Sequence, residues 1–223
     1  MGELVSIVTK NHLSTNRDYL GRVNDPEFPK WKAAELAKKY DFNYWDGDRR
    51  INYGGYRYKP GYWNPVAKDL ITRYKLTSKS KVLDIGCGKG FLLFEISELL
   101  PGIEIYGLDI SSYAIENAHP EVKNFVAVGT ATELNYSNDY FDLAFSINTL
   151  HNLYNYELEK ALLEMQRVAK KKFLCVESYR TELEKSNLIY WQVTCEAFNT
   201  PREWNWWFEK TNFEGDYEFI YFQ

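Results

Sequence analysis

From residue 64 onward two apolar patterns alternate along the chain. Five short runs have the length and composition of buried strands: KVLDIG (Lys81–Gly86), IEIYGLDI (Ile103–Ile110), NFVAV (Asn124–Val128), FDLAFSI (Phe141–Ile147) and FLCV (Phe173–Val176). Between them apolar residues recur at helical spacing. Asn64-Pro65 opens one helix, with Asn as N-cap and Pro at the first helical position, and Val66, Leu70 and Tyr74 share a face. FLLFEISELL is apolar nearly all round and stops at Pro101-Gly102. Ser111 or Ser112 caps a helix running to Ala118, and Glu157–Ala169 carries Leu158, Ala161, Leu162, Met165 and Val168 on one stripe. Strands alternating with helices at this spacing predict a parallel sheet covered on both faces.

The remaining segments differ. A helix is expected within Glu182–Phe198, carrying Leu183, Leu188, Trp191 and Cys195. Thr200-Pro201-Arg202-Glu203 is a capping box that opens another, running through Lys210, with Trp204, Trp207 and Phe208 on one core-facing stripe. Gly215–Phe222 reads as a last strand, and the KKK run at Lys170–Lys172 as a solvated loop. Residues 1–63 hold one short helix, Lys30–Tyr40, and then NYWDGDRRINYGGYRYKPGYW (Asn43–Trp63), which has neither period. The chain therefore divides into an N-terminal helical and aromatic cap or lid, 1–63, and an α/β domain, 64–223.

Composition narrows the function. A chain of 223 residues with formal net charge −4 lacks the balance for a broad basic face, so no nucleic-acid partner is expected. Cys87, Cys175 and Cys195 are odd in number and lack C-x-x-C spacing, which favours a reducing compartment. The first residues lack a basic n-region and a long apolar run, and nothing approaches the ~18 apolar residues of a membrane span. A cytoplasmic protein without membrane insertion is expected. No spacing of Asp, Glu and His marks a metal site. The oligomeric state is left open, a homodimer included.

Candidate chemistry sits in VLDIGCGKGF (Val82–Phe91). Gly86, Gly88 and Gly90 join a strand to a helix, where glycine lets the backbone turn sharply and approach a ligand. A dinucleotide fingerprint would place its third glycine where Phe91 stands. Asp84, two residues before the first glycine, can accept from a cationic amino group. Asp109 ends the next strand, where an acid accepts from ribose hydroxyls. These residues describe a ligand with a ribose, an adenine-like ring and a cationic amino-acid end, without a pyrophosphate.

At these residues, VLDIGCGKG and GLDIS, the chain resembles the class I S-adenosylmethionine-dependent methyltransferases over roughly residues 64–223. The resemblance implies a doubly wound, Rossmann-like seven-stranded sheet with an antiparallel last strand, and S-adenosyl-L-methionine as cofactor, released as S-adenosyl-L-homocysteine. It implies that Asp84, Gly86, Cys87, Gly88 and Gly90 surround the methionine part, Asp109 and Ile110 the ribose, and Thr130, Ala131 and Thr132 the adenine. The family often has an acid where Thr130 stands. Ser146, Ile147 and Asn148 would lie beneath the sulfonium. The whole chain is also similar to small methyltransferases of bacterial surface-polysaccharide and modified-sugar biosynthesis.

For methyl transfer the protein mainly positions the acceptor, and whether it also removes a proton is left open by the sequence. His151, after the fourth strand, and Glu177, ending the fifth, are the candidate bases. Each also has a bland reading, as a loop cap or an ion pair. Arg180 would hold an acid or phosphate. The aromatic stretch would fold over the open edge, hinged at Gly54-Gly55, with Trp45, Arg49, Arg50, Tyr53, Tyr56 and Tyr58 contacting a small-molecule acceptor. On that view Trp45→Ala or Arg49→Ala weakens acceptor turnover and spares cofactor affinity. The competing readings are an RNA methyltransferase and a non-catalytic, cofactor-binding partner subunit.

Overall fold

The computed structural model describes residues 2–12, 17–54 and 56–223. Gly55, half of the expected hinge, lies outside them. A six-stranded sheet in the order β3-β2-β1-β4-β5-β6 forms the centre. Its strands are β1 (Lys81–Ile85), β2 (Glu104–Asp109), β3 (Val126–Val128), β4 (Phe141–Ile147), β5 (Ala169–Glu177) and β6 (Asp216–Ile220). Every pairing is parallel, that of β6 with β5 included.

Two expectations are corrected here. The sheet has six strands rather than seven, and no antiparallel strand belongs to it among the described residues. The outer edge of β6 is instead taken by the N-terminal segment. Leu4 bridges Tyr217 in parallel, the Val5 N–H donates to the Tyr217 carbonyl (2.9 Å), and the Tyr217 N–H donates to the Glu3 carbonyl (3.0 Å). Unpaired edge donors are thereby satisfied by the chain's own start. Second, β5 begins at Ala169, so the Lys170–Lys172 run is strand and not loop. Lys170 and Lys171 are exposed, whereas the ammonium of buried Lys172 donates to the carbonyls of Ala169 and Lys170.

Helices cover both faces. On one, α3 (Asn64–Tyr74) and α4 (Phe91–Leu99) bury Val66, Leu70, Leu93 and Ile96 against β1 and β4. On the other, α6 (Asn155–Val168) and α8 (Pro201–Lys210) bury Leu162, Met165, Trp204 and Phe208. The capping box forms at α8: Thr200 Oγ1 accepts from the Glu203 N–H, and Glu203 Oε2 accepts from the Thr200 N–H. Asn64 does not cap α3. Trp63 holds that place, and Asn64 Nδ2 donates to Glu95 on α4 (3.1 Å). The short α5 (Ser112–Glu116) is capped by Ser111, whose Oγ accepts from Ala114 N–H. The remaining helix of the domain, α7 (Glu182–Trp191), ends earlier than expected and releases an extended segment toward the sheet.

Before α3, Tyr40, Tyr44, Trp45, Tyr53 and Tyr56 lie over the carboxyl ends of the strands. Helices α1 (Lys30–Ala37) and α2 (Phe42–Trp45) share a small core of Ala33, Ala37, Tyr44 and Ile51 with Val193. The segment is anchored at both ends by buried acids. Glu95 accepts from Tyr58 OH (2.9 Å), Gly61 N–H (3.1 Å) and Asn64 Nδ2. Glu218, on β6 and 2% exposed, accepts from the N–H groups of Ile7, Val8 and Thr9 at 2.7–2.8 Å.

Removing a buried acceptor strands its donors at about 1–3 kcal/mol each. Glu218→Ala should therefore lower unfolding stability by about 3 kcal/mol or more. It should also expose residues 3–9 to proteolysis before the rest of the chain. Chemical denaturation with limited proteolysis checks both outcomes.

Candidate functional site

The carboxyl ends of β1, β2, β4 and β5 open into one cavity of about 1220 Å³ beneath the N-terminal cap. At one end lies the glycine turn. Gly86 and Gly88 adopt φ of +82° and +54°, the left-handed region that side chains with a Cβ rarely enter. Space demands glycine as well. A Cβ at Gly86 would sit 2.1 Å from Thr149 Oγ1, and one at Gly88 2.8 Å from the Trp45 ring.

The turn is held by Asp109. One of its carboxylate oxygens accepts from the Gly88 N–H (2.8 Å) and the other from the Ser111 N–H (2.9 Å). Gly86 and Cys87 N–H groups both donate to the Leu108 carbonyl. Burial raises the Asp109 pKa against the lowering effect of these donors. Asp84, 5% exposed, also faces the cavity, and among the described residues no donor is paired with its carboxylate. Burial and the nearby Asp109 push its carboxyl well up. Such a group is completed by a cation brought from outside. The turn therefore suits a ligand with an ammonium at Asp84 and hydroxyls at Asp109. Burial also raises the Cys87 thiol well above its usual range, so Cys87 is not a nucleophile at neutral pH.

Most of the expected ligand contacts converge here. Asp84, Gly86, Cys87, Gly88, Asp109 and Ile110 line the cavity, as do Thr130, Ala131 and Asn148. Gly90 and Thr132 do not. Gly90 is the N-cap residue of α4, and Thr132 bonds Thr130 through its hydroxyl (2.9 Å) and its N–H (3.2 Å). Ser146 is fully buried and donates to the Ile85 carbonyl, strapping β4 to β1 rather than facing the cavity.

The cap closes this same end. The Trp45 ring packs on Gly88, and its Nε1 donates to Ser111 Oγ (2.8 Å). Asp46 accepts from Lys89 Nζ (2.7 Å) and Tyr113 OH (2.9 Å). Although burial opposes them, these donors keep the Asp46 carboxyl below its usual range. Trp45, expected at the acceptor, lines the cavity with its ring over the glycine turn.

At the other end stand the two candidate bases. His151 follows β4 in a short 3-10 turn, Leu150–Asn152, and Glu177 ends β5. Both are buried and both line the cavity. His151 Nδ1 accepts from the Glu177 N–H (3.4 Å), which leaves the proton on Nε2, 3.5 Å from Glu177 Oε2. Burial holds the imidazole pKa down to about 3, so it stays neutral. Burial raises Glu177 to about 8, against the lowering effects of Gln192 and Arg17. Glu177, not His151, is thus the group poised near operating pH. Gln192 Nε2 donates to Glu177 Oε2, and Tyr53 OH donates to Gln192 Oε1 (2.6 Å). Tyr53 in turn accepts from the N–H groups of Val193 and Thr194. A cap tyrosine therefore orients the carboxylate through one amide.

The other expected acceptor contacts divide. Tyr53 and Tyr56 line the cavity, whereas Arg49, Arg50, Tyr58 and Arg180 do not. Arg49 bonds Asn52, Arg50 pairs with Asp48, and Tyr58 is bound to Glu95. Arg180 pairs with Glu184 and lies 3.8 Å over the Tyr221 ring. Lys89, Thr149, Gln192 and Arg17 are not singled out by the sequence, and Trp191 is named there only as part of the helix expected within Glu182–Phe198. Their contacts in the site are long-range.

A family model described as a methyltransferase domain matches residues 76–212. Solved structures with a similar fold include the YcgJ protein of Bacillus subtilis: 22% identity, TM-score 0.55, covering 65% of this chain and 66% of that one. A second comes from a complex between the Haloferax volcanii Trm112 methyltransferase activator and a methyltransferase: 21% identity, TM-score 0.53, covering 65% of each chain. A third is a protein of Bacillus halodurans C-125 described as a methyltransferase: 17% identity, TM-score 0.53, covering 65% and 67%. The match spans just under two thirds of the first two. At these identities the likeness establishes the fold.

The Glu177 shift makes a signed prediction. The folded carboxyl titrates near 8 and the unfolded one near its ordinary value of 4.5, so the native state holds the extra proton between them. Stability contributed by this group is lost as pH rises across that window. Glu177→Gln removes the loss, so its melting temperature should gain on the wild type from pH 5 to pH 8.5. Parallel curves would contradict the assignment.

Proposed function

Since the chain belongs to the methyltransferase domain family, we propose that it transfers a methyl group from S-adenosyl-L-methionine to an oxygen or nitrogen of a small polar acceptor. One observation carries this: the Asp84 carboxylate, which no donor among the described residues meets, and the proton-holding Glu177 face a single cavity. The residues present fit the cofactor. Asp84 would hold its ammonium and Asp109 its ribose, with Thr130 and Ala131 beside its base. When bound it supplies an electrophilic methyl group on a sulfonium, leaving S-adenosyl-L-homocysteine.

The protein's own work is positioning and proton removal. Glu177 accepts the acceptor's proton as the nucleophile attacks. His151 Nε2–H and Gln192 Nε2–H fix the orientation of that carboxylate. Trp191, Tyr53 and Tyr56 line the cavity beside it. Because Glu177 ionises near 8, kcat/KM should rise with pH and level off above that value.

The finer reading is an acceptor of the sugar, nucleotide-sugar or phosphate-linked kind used in surface-glycan biosynthesis. Flat aromatic walls with polar tips support it. Action in the cytoplasm, as a monomer or homodimer, completes the proposal. No helix among the described residues is long and apolar enough to cross a membrane.

Asp84→Asn should reduce cofactor affinity at least tenfold by equilibrium titration. Trp45→Ala should weaken it several-fold, because its ring packs on the turn. Glu177→Gln should retain cofactor binding and lose 10²–10⁴-fold in kcat, the usual range for a general base. Incubation of the protein with methyl-deuterated cofactor and a bacterial extract, followed by mass spectrometry, identifies the acceptor. Label in a small polar metabolite supports the proposal. Label in RNA, or tight cofactor binding by a chain that labels nothing, favours a competing reading.

A further inference from the structure

Arg17 stands out among the cations of the cavity because its neighbours are rings rather than carboxylates. Its guanidinium lies 4.6 Å from the Phe222 ring centroid and 5.7 Å from that of Trp191. No carboxylate among the described residues pairs with it. Of the other cations, Lys59 and Arg57 line the cavity but are exposed, and Arg22 does not line it. Lys38 pairs with Glu196, and Lys89 pairs with Asp46. Arg22 lies 4.8 Å from Trp191 and donates to the carbonyls of Trp191, Arg49 and Asn52, so its donors are spent on the cap. The charge of Arg57 acts on Asp46, at the glycine-turn end.

Arg17 belongs to the opposite end. Its charge acts on Glu177 and works against the burial that raises that carboxyl. The two groups do not form an ion pair, so the fork of guanidinium donors remains available inside the cavity. Two rings flank the guanidinium within cation–π reach, which reduces the freedom lost when a ligand binds. A planar fork matches the paired oxygens of a carboxylate or phosphate.

We infer that the acceptor carries a carboxylate or phosphate seated on Arg17, which presents a neighbouring hydroxyl or amine to Glu177. This rests on the reading of the cavity as a methyl-transfer site and specifies its acceptor. Arg17 is not among the three arginines expected from sequence to meet the acceptor, and none of those three lines the cavity. Arg49, Arg50 and Arg180 are spent on Asn52, Asp48 and Glu184. An anion at Arg17 also neutralises the charge that favours ionised Glu177. An anionic acceptor therefore makes Glu177 a stronger base on binding.

The probes are inorganic phosphate and acetate, followed on the full chain by 31P and 13C NMR line broadening, with and without S-adenosyl-L-homocysteine. The wild type should bind phosphate saturably. Arg17→Gln should weaken that binding at least tenfold, Arg17→Lys by less, and Arg57→Gln less than twofold. Thermal melting confirms that each variant is folded, and cofactor titration should give the same affinity in Arg17→Gln as in the wild type. Equal phosphate binding in wild type and Arg17→Gln would overturn the inference, as would loss of binding in Arg57→Gln alone. An uncharged acceptor in the labelling survey would also overturn it. Failure of the wild type to bind the cofactor would instead strike at the methyl-transfer reading, and the phosphate titration remains decisive for Arg17.

Discussion

Two backbone N–H groups from different loops meet on one carboxylate, that of Asp109, and the site depends on that meeting. The Gly88 bond fixes the turn after β1, and the Ser111 bond fixes the loop after β2. The cap depends on it next, since Trp45 packs on Gly88 and donates to Ser111. Glycine at 88 is required twice over, by backbone conformation and by the indole above it. A charge-assisted bond to a backbone donor is roughly twice as strong as a neutral one. Two of them acting on adjacent loops make the ligand-facing edge of the sheet stiff before any ligand arrives.

Desolvation governs the other end. His151 and Glu177 could in principle exchange a proton to form an ion pair, but burial disfavours charge on both and leaves the pair neutral at neutral pH. The imidazole then serves as a fixed donor, and the carboxyl becomes the titrating group. Its position is set by Tyr53 through Gln192, so the cap orients the carboxyl as well as covering it.

Much of this was legible in the chain because it is local. The apolar runs fall on the strands, and the capping box of α8 and the Ser111 cap form as their spacing predicts. Asp84, Gly86, Gly88 and Asp109 share a cavity because strand ends of a parallel sheet share an edge. The antiparallel seventh strand came from the resemblance and not from any apolar run, and the sheet edge went to residues 3–5 instead. The arginines were misplaced for a related reason. Composition shows that a cation is present and not which acid takes it. Arg50 and Arg180 are consumed by acids two and four residues away. Arg17 and Gln192 acquire their places only through contacts across most of the chain, which no window of sequence displays.

The bonds from Glu218 to residues 7–9 join positions 209–211 apart along the chain. Residues 7–9 thus find their seat only on a strand made some two hundred residues later. Loop closure over such a distance is slow and late. The cap, tethered through that seat, must wait for the finished sheet. Assembly of the aromatic wall therefore reports that β6 has been added, and a chain stalled before it would carry an open glycine turn and no wall.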